Sequence, residues 1–206
     1  MLKILKSLTL IAGLGIGGLA YANPVLETGD AGDLPGSAQG FGAGLISSIS
    51  GGLGGDVDMF HLYIPDLSLF FATTVSGAGF DTQLFLFDSS GMGVVANDDD
   101  GGCGCFQSTL PAGFAAGSGW FYLAISQYNN DATSVGGLIF PSNPFSGVFG
   151  PTGPGGGSAI SGWSGAPGGG YAYTIFLQGA HGVPEAPAFA LLGLGLLALL
   201  RQRQRG

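Results

Sequence analysis

Between Asp81 and Gly102 the chain reads DTQLFLFDSSGMGVVANDDDGG, and its apolar pattern is the clearest along the sequence. Gln83, Phe85 and Phe87 alternate with Leu84 and Leu86. Both faces of that run are therefore apolar, as in a strand inside a sandwich. Asp88-Ser-Ser-Gly91 has turn composition, with Gly91 free to adopt a positive φ. Met92 to Ala96 returns as a second strand, and Asn97, Asp98, Asp99 and Asp100 follow at once. The pattern places several carboxylates at one end of a β hairpin, where like charges repel unless water or a cation screens them.

The same reading extends along the chain. Leu45 to Ser50 predicts a short strand ended by Gly51-Gly52. In Asp56 to Ile64, Phe60, Leu62 and Ile64 share one face, and Met59, His61 and Tyr63 the other. Pro65-Asp66 breaks that strand, and Ser68 to Val75 is expected to form the next. Trp120 to Ser126, with Tyr128 just beyond, and Tyr171 to Gln178 complete the set. Strands joined by Gly-rich turns, with no long helical pattern between them, predict an all-β, antiparallel sandwich.

Two stretches stand outside the pattern. Residues 23–43 read as a lead-in or edge segment ahead of a body at 44–180. Ser134 to Gly170, rich in Pro, Gly and Ser with scattered Phe145, Phe149 and Trp163, reads as a long surface insertion, with a short strand at Leu138 to Phe140. Loops of that length in compact domains bind something or are disordered, and both readings stand.

The ends set the destination. Residues 1–22 have the form of a secretory signal: Lys3 and Lys6, an apolar Leu8 to Leu19, then Ala20-Tyr21-Ala22 as a small-x-small cleavage pattern. The apolar run is short against the ~20 residues a spanning helix needs, which favours cleavage by signal peptidase over an anchor. Near the other end, Val183-Pro-Glu-Ala-Pro187 precedes an apolar Ala188 to Leu200 and then Arg201, Arg203 and Arg205. That run predicts a short transmembrane helix held by its arginines on the cytoplasmic side of the inner membrane.

Charge sharpens the picture. All five basic residues lie in those ends, while the thirteen acids fall between Glu27 and Glu185, a stretch with no Lys or Arg. Nucleic acid is excluded as a partner, because nothing in the body can replace phosphate counterions. No carboxylate of the body can find an ammonium or guanidinium within it. Forty-two glycines with fifteen Phe and only 9% charged residues fit a secreted β protein better than a charged disordered one.

Residues 181–206, with Pro184 and Glu185 at the core, the apolar helix and the Arg cluster, resemble the PEP-CTERM sorting signal of exopolysaccharide-producing Gram-negative bacteria. Ala186 stands where the second Pro of that motif is usual, with Pro187 one place later. The resemblance implies recognition by an exosortase-type membrane protease, cleavage near Pro184-Glu185, and release to the cell surface or extracellular matrix. An anchor that is never processed is the alternative.

The body resembles the bacterial pre-peptidase C-terminal domain. The resemblance runs through Gly55-Asp-Val-Asp-Met-Phe60, Asp81 to Asp88, Asn97-Asp98-Asp99, Gly119 to Ile125 and Gly170 to Ile175, in that order. It implies a jelly-roll-like sandwich without catalytic activity of its own. Cys103-Gly-Cys105 and the Ser134 to Gly170 insertion depart from the usual pattern.

Asp56, Asp58, Asp81, Asp88, Asn97, Asp98, Asp99 and Asp100 all fall at strand ends or turns. Calcium takes six to eight such oxygens, so a structural Ca2+ site is one reading, with Asn97, Asp98 and Asp99 its preferred ligands and Asp56 and Asp58 beside them. Asp residues that each cap their own turn in water are the other. Cys103 and Cys105, the only cysteines, are expected to pair in an oxidising compartment as a local staple.

Neither His61, mid-strand, nor His181 neighbours an evident nucleophile, and no Gly-x-Ser-x-Gly or His-Glu-x-x-His motif occurs. The chain therefore reads as a non-enzymatic, exported surface or matrix protein, structural or adhesive in an exopolysaccharide or biofilm setting. A calcium-dependent carbohydrate-binding module is the alternative, with Trp163 and Tyr128 as sugar contacts, and a secreted hydrolase ranks below both.

Overall fold

The computed structural model describes residues 22–165 and 169–182. The signal segment with Ala20, and the sorting segment with Val183, Pro184, Glu185, Arg201, Arg203 and Arg205, lie outside the described residues; Ala22 is exposed at the border. Among the described residues no helix is long and apolar enough to cross a membrane.

Among the described residues fourteen strands follow one another: β1 (Asn23–Leu26), β2 (Gln39–Gly40), β3 (Gly44–Leu53), β4 (Asp58–Ile64), β5 (Phe71–Thr73), β6 (Thr82–Asp88) and β7 (Gly93–Asn97) come first. Then come β8 (Thr109–Leu110), β9 (Gly119–Gln127), β10 (Ala132–Ser134), β11 (Gly137–Leu138), β12 (Val148–Phe149), β13 (Gly162–Trp163) and β14 (Tyr171–Gly182). The described residues are all-β apart from one 3-10 turn, as the pattern predicts for the body, but the main sheet is mixed rather than purely antiparallel. Both strands of the lead-in pair parallel, β1 with β3 and β2 with β4. A separate antiparallel sheet runs β11-β10-β13.

The main sheet has the order β1-β3-β14-β4-β9-β6-β7-β12, with β5 and β8 branching from β14. β14 makes the sandwich possible. Its first part, Tyr171 to Phe176, pairs with β3, Phe176 to Gln178 pair with β5, its register against β3 shifts between Phe176 and Ala180, and its end reaches β4 through His181 opposite Tyr63. The sheet thus folds over on itself. Ile49, Leu53, Phe60, Leu62, Leu84, Leu86, Leu123, Ile125 and Ile175 fill the space between the layers.

β6 runs through the middle and is buried from Thr82 to Phe87. Leu84 and Leu86 join the interlayer core, while Phe85 and Phe87 face a second cluster on the opposite side. The β6–β7 hairpin forms as its pattern predicts, with Gly91 at φ 79° and Asp88 accepting from the Ser90 and Met92 N–H groups.

Three expectations change. β3 runs through Gly51-Gly52 to Leu53, because Tyr173 of β14 pairs with Gly51 there. Ser68 to Val75 gives only the short β5. Asp66 accepts from the Ser68 N–H and starts a 3-10 turn at Leu67–Leu69 instead. The segment from 134 to 165 is a packed cap and not a loose surface insertion. Its Ile139, Phe140 and Ile160 are buried against Val57, Met59, Phe85, Phe87 and Ala124. Gly93 lets it approach, since a side chain there would collide with Ile139, Phe140 and Pro151.

Candidate metal and carbohydrate sites

The carboxylates singled out in the sequence divide into two groups at different places in the fold. At the end of the β6–β7 hairpin, Asp81, Asp98 and Asp99 bring carboxylate oxygens within 4.8 Å of one another. Asp81 Oδ1 and Asp98 Oδ1 are buried and accept no hydrogen bond. Burial pushes Asp98 up to about 7, helped by Asp81, Asp99 and Asp131, and pushes Asp81 up to about 6, helped by Asp99. Asp99 is raised by burial as well.

Asn97, a preferred ligand on sequence, is occupied by the fold. Its Nδ2 donates to the carbonyls of Asp99 at 2.9 Å and Gly147 at 2.7 Å, and its Oδ1 accepts from the Thr109 N–H at 2.6 Å. These bonds brace the turn after β7, and Asn97 is held there by the fold. Tyr128 lies beside this cluster through the chain: its N–H donates to the Asp81 carbonyl, and the Asp99 N–H donates to the Phe145 carbonyl. The rings of Tyr128 and Phe145 meet edge to face at 5.7 Å, and both are exposed.

The second group is Glu27, Asp30 and Asp58, again with carboxylate oxygens within 4.8 Å. Asp58 opens β4 and shares the inner face of Phe60, Leu62 and Ile64, so it enters the end of the interlayer core at 0% exposure. Its Oδ2 accepts from the Tyr173 hydroxyl at 2.6 Å, while its Oδ1 has no partner. Burial pushes it up to about 7, and Glu27, Asp56 and Asp30 add to that against the opposing Tyr173 bond. Tyr173 is raised in turn by burial and by Asp58. Asp56 stands next to this group without joining it. Its Oδ1 is buried without a partner, and burial with Asp30 and Asp33 raises it.

Glu27 and Asp30 were not among the residues expected as ligands. They sit in a lead-in with little periodicity, and the signal that points to them is charge: they are acids in a long stretch that holds no cation.

Cys103 and Cys105 are bonded to each other on the loop after the hairpin, with Cα atoms 5.2 Å apart. Trp163 is half-buried. Its ring lies edge-on to Phe85 and Phe87, and its Nε1 donates to the Asp33 carbonyl at 2.8 Å. It lines an open hollow of about 250 Å³ with Asp33, Asp56, Val57 and Asn130, apart from the Tyr128–Phe145 pair.

A strip of packed aromatic rings lies elsewhere, on β4 and β9. Cross-strand pairing sets His61 opposite Tyr122 and Tyr63 opposite Trp120. The His61 ring lies 4.8 Å from Tyr122 and 4.9 Å from Trp120, with Tyr63 edge-on to Trp120 at 5.6 Å. Burial lowers His61 from its ordinary value, which keeps the ring uncharged at neutral pH. Trp120 and Tyr63 are 39% and 37% exposed. Compared with known proteins, the chain matches no family model, no curated protein and no solved structure.

Proposed function

We propose that the chain is an exported protein of the cell surface or extracellular matrix, with a structural or adhesive role toward exopolysaccharide. Its body, in this reading, is a jelly-roll-like sandwich of the pre-peptidase C-terminal kind. The signal-like residues 1–22 direct it across the inner membrane, and the sorting-like residues 181–206 hand it to an exosortase-type protease. No catalytic activity is assigned to it.

The observation that carries the adhesive reading is the strip of Tyr63, His61, Trp120 and Tyr122. Rings paired across two central strands hold one another in place, cost little entropy to present, and leave Trp120 and Tyr63 partly exposed to meet the apolar faces of sugar rings. The test is retention of the secreted protein on the producer's own exopolysaccharide, with fractionation of matrix, membrane and cytoplasm. Recovery from the matrix and retention that falls in Trp120→Ala support the reading. A cytoplasmic protein, or one that ignores the polymer, overturns it.

A second reading, a calcium-dependent carbohydrate-binding module, is favoured by the backbone bonds that join the Asp81, Asp98 and Asp99 cluster to the exposed Tyr128 and Phe145. In that case chelation releases the protein from the polymer and Tyr128→Ala matters more than Trp120→Ala.

A further inference from the structure

Asp58 is the one fully buried acid among the described residues, and half of its carboxylate has no partner. A carboxylate in that position is costly unless something compensates its charge. No side chain of the body can do so, since Lys and Arg are absent from residue 7 to residue 200. Glu27 and Asp30 bring two more carboxylates to the same place, which deepens the need for a positive charge.

The surrounding bonds hold these groups in position without exhausting them. Glu27 Oε1 accepts from the Ala31 N–H at 3.0 Å, Glu27 Oε2 from the Gly52 N–H at 2.9 Å, and Asp30 Oδ1 from the Gly32 N–H at 3.4 Å. An ionised carboxylate has about four acceptor positions, so each keeps capacity for an ion. The Glu27 carboxylate and the Tyr173 hydroxyl both overlie Gly51, leaving no room for a side chain at that position.

We propose that Glu27, Asp30 and Asp58 bind one divalent cation, calcium in preference to magnesium, which pins the lead-in onto the end of the sandwich. The donors are all oxygen, the set that hard cations take. Calcium accepts six to eight oxygens in a variable geometry, which suits carboxylates from a loop and a strand end, whereas magnesium demands near-ideal octahedral geometry and sheds its water reluctantly. Two ligands come from the loop after β1 and the third from the first residue of β4, so the ion adds a tie between the β1–β3 and β2–β4 pairings, where the Met59 N–H also donates to the Gly32 carbonyl. This inference rests on the buried Asp58 and stands whether or not the protein adheres to polysaccharide.

The experiment is calorimetric titration and thermal melting of the full-length chain, stripped with chelator and then given calcium or magnesium. Calcium at ~100-fold over its dissociation constant should raise the melting temperature by about 5–10 °C, with magnesium doing less. Asp30→Asn changes an exposed side chain with a single hydrogen bond. It should melt as the parent does in chelator yet lose one calcium equivalent or bind it at least tenfold more weakly. Asp58→Asn should lose the same equivalent, Asp99→Asn should keep it, and calcium should protect residues 27–41 from a broad-specificity protease. No calcium shift, an equal shift with magnesium, or Asp30→Asn titrating like the parent would each overturn the proposal. Because Asp30→Asn is conservative and exposed, the test survives a failure of Asp58→Asn to fold.

Discussion

The Tyr173 hydroxyl donates to Asp58 Oδ2 at 2.6 Å and so joins β14 to β4 at the buried end of the interlayer core. Among the described residues it is the only hydrogen bond to the Asp58 side chain, and it comes from a ring that is itself buried. Tyr173→Phe keeps the ring and removes the bond, which leaves both Asp58 oxygens without a protein donor. The expected cost is about 1–3 kcal/mol in chelator, read from denaturant unfolding. A change within error would mean that water reaches Asp58 and replaces the hydroxyl.

Stability in chelator should fall as pH rises. Asp58 and Asp98 are pushed up to about 7 and Asp81 to about 6, against an unfolded value near ~3.9. A carboxyl raised in the folded state holds its proton more tightly there than in the unfolded chain. Its contribution is therefore fully present below the unfolded value and lost as pH climbs through the folded one. His61 is lowered and works in the opposite sense, but it is one group against three. The melting temperature in chelator should drop between about pH 5 and pH 8, and calcium should restore it at pH 8 far more than at pH 5, where protons compete for the same oxygens. A chelated protein that gains stability over this range would contradict the burial of these acids.

Gly51→Ala inverts the usual sign of a glycine replacement in a strand. Alanine normally gains there, but a methyl group at 51 meets the Glu27 carboxylate and the Tyr173 ring. The overpacking should cost about 1–3 kcal/mol. Gly36→Ala, with open space around it, is the matched control and should be neutral or gain up to about 1 kcal/mol. Equal behaviour of the two variants would remove the crowding argument.

The interior strands were legible because each carries its own pattern. β6 is apolar on both faces, and both faces are covered. The lead-in strands were not, since β1 and β2 owe their conformation to parallel partners in β3 and β4 rather than to any alternation of their own. The cap hid for a similar reason: Ile139, Phe140 and Ile160 are spread among Gly, Pro and Ser, and only the fold gathers them. Asp58 is expected beside Asn97, Asp98 and Asp99, but the fold sets it with Glu27 and Asp30, which lie far earlier in the chain. The bonds from the Asn97 amide to the carbonyls of Asp99 and Gly147 are illegible in the sequence, since Gly147 lies fifty residues further on.

Phe140→Ala tests whether the 134–165 segment is a true cap. Phe140 packs against Phe85 and Phe87, with ring centroids 5.8 and 5.9 Å away. Truncation at a buried aromatic should cost about 3–5 kcal/mol in global unfolding. A loosely attached surface loop would give a change within about 0.5 kcal/mol.

Trp120 offers the cleanest separation of binding from folding. Its ring lies tilted against a partly buried histidine but leaves 39% of its surface to solvent, so removing it exposes little of either core. Trp120→Ala should cost about 1 kcal/mol of stability, the order of one aromatic pair. Loss of a stacking platform for a sugar ring should weaken retention on exopolysaccharide at least about tenfold, or ~1.4 kcal/mol. Trp120→Phe keeps a flat face and should restore most of that retention, which a purely structural role would not require. If both variants bind as the parent does, the strip is ordinary cross-strand packing and the adhesive surface must be sought at Tyr128 and Phe145.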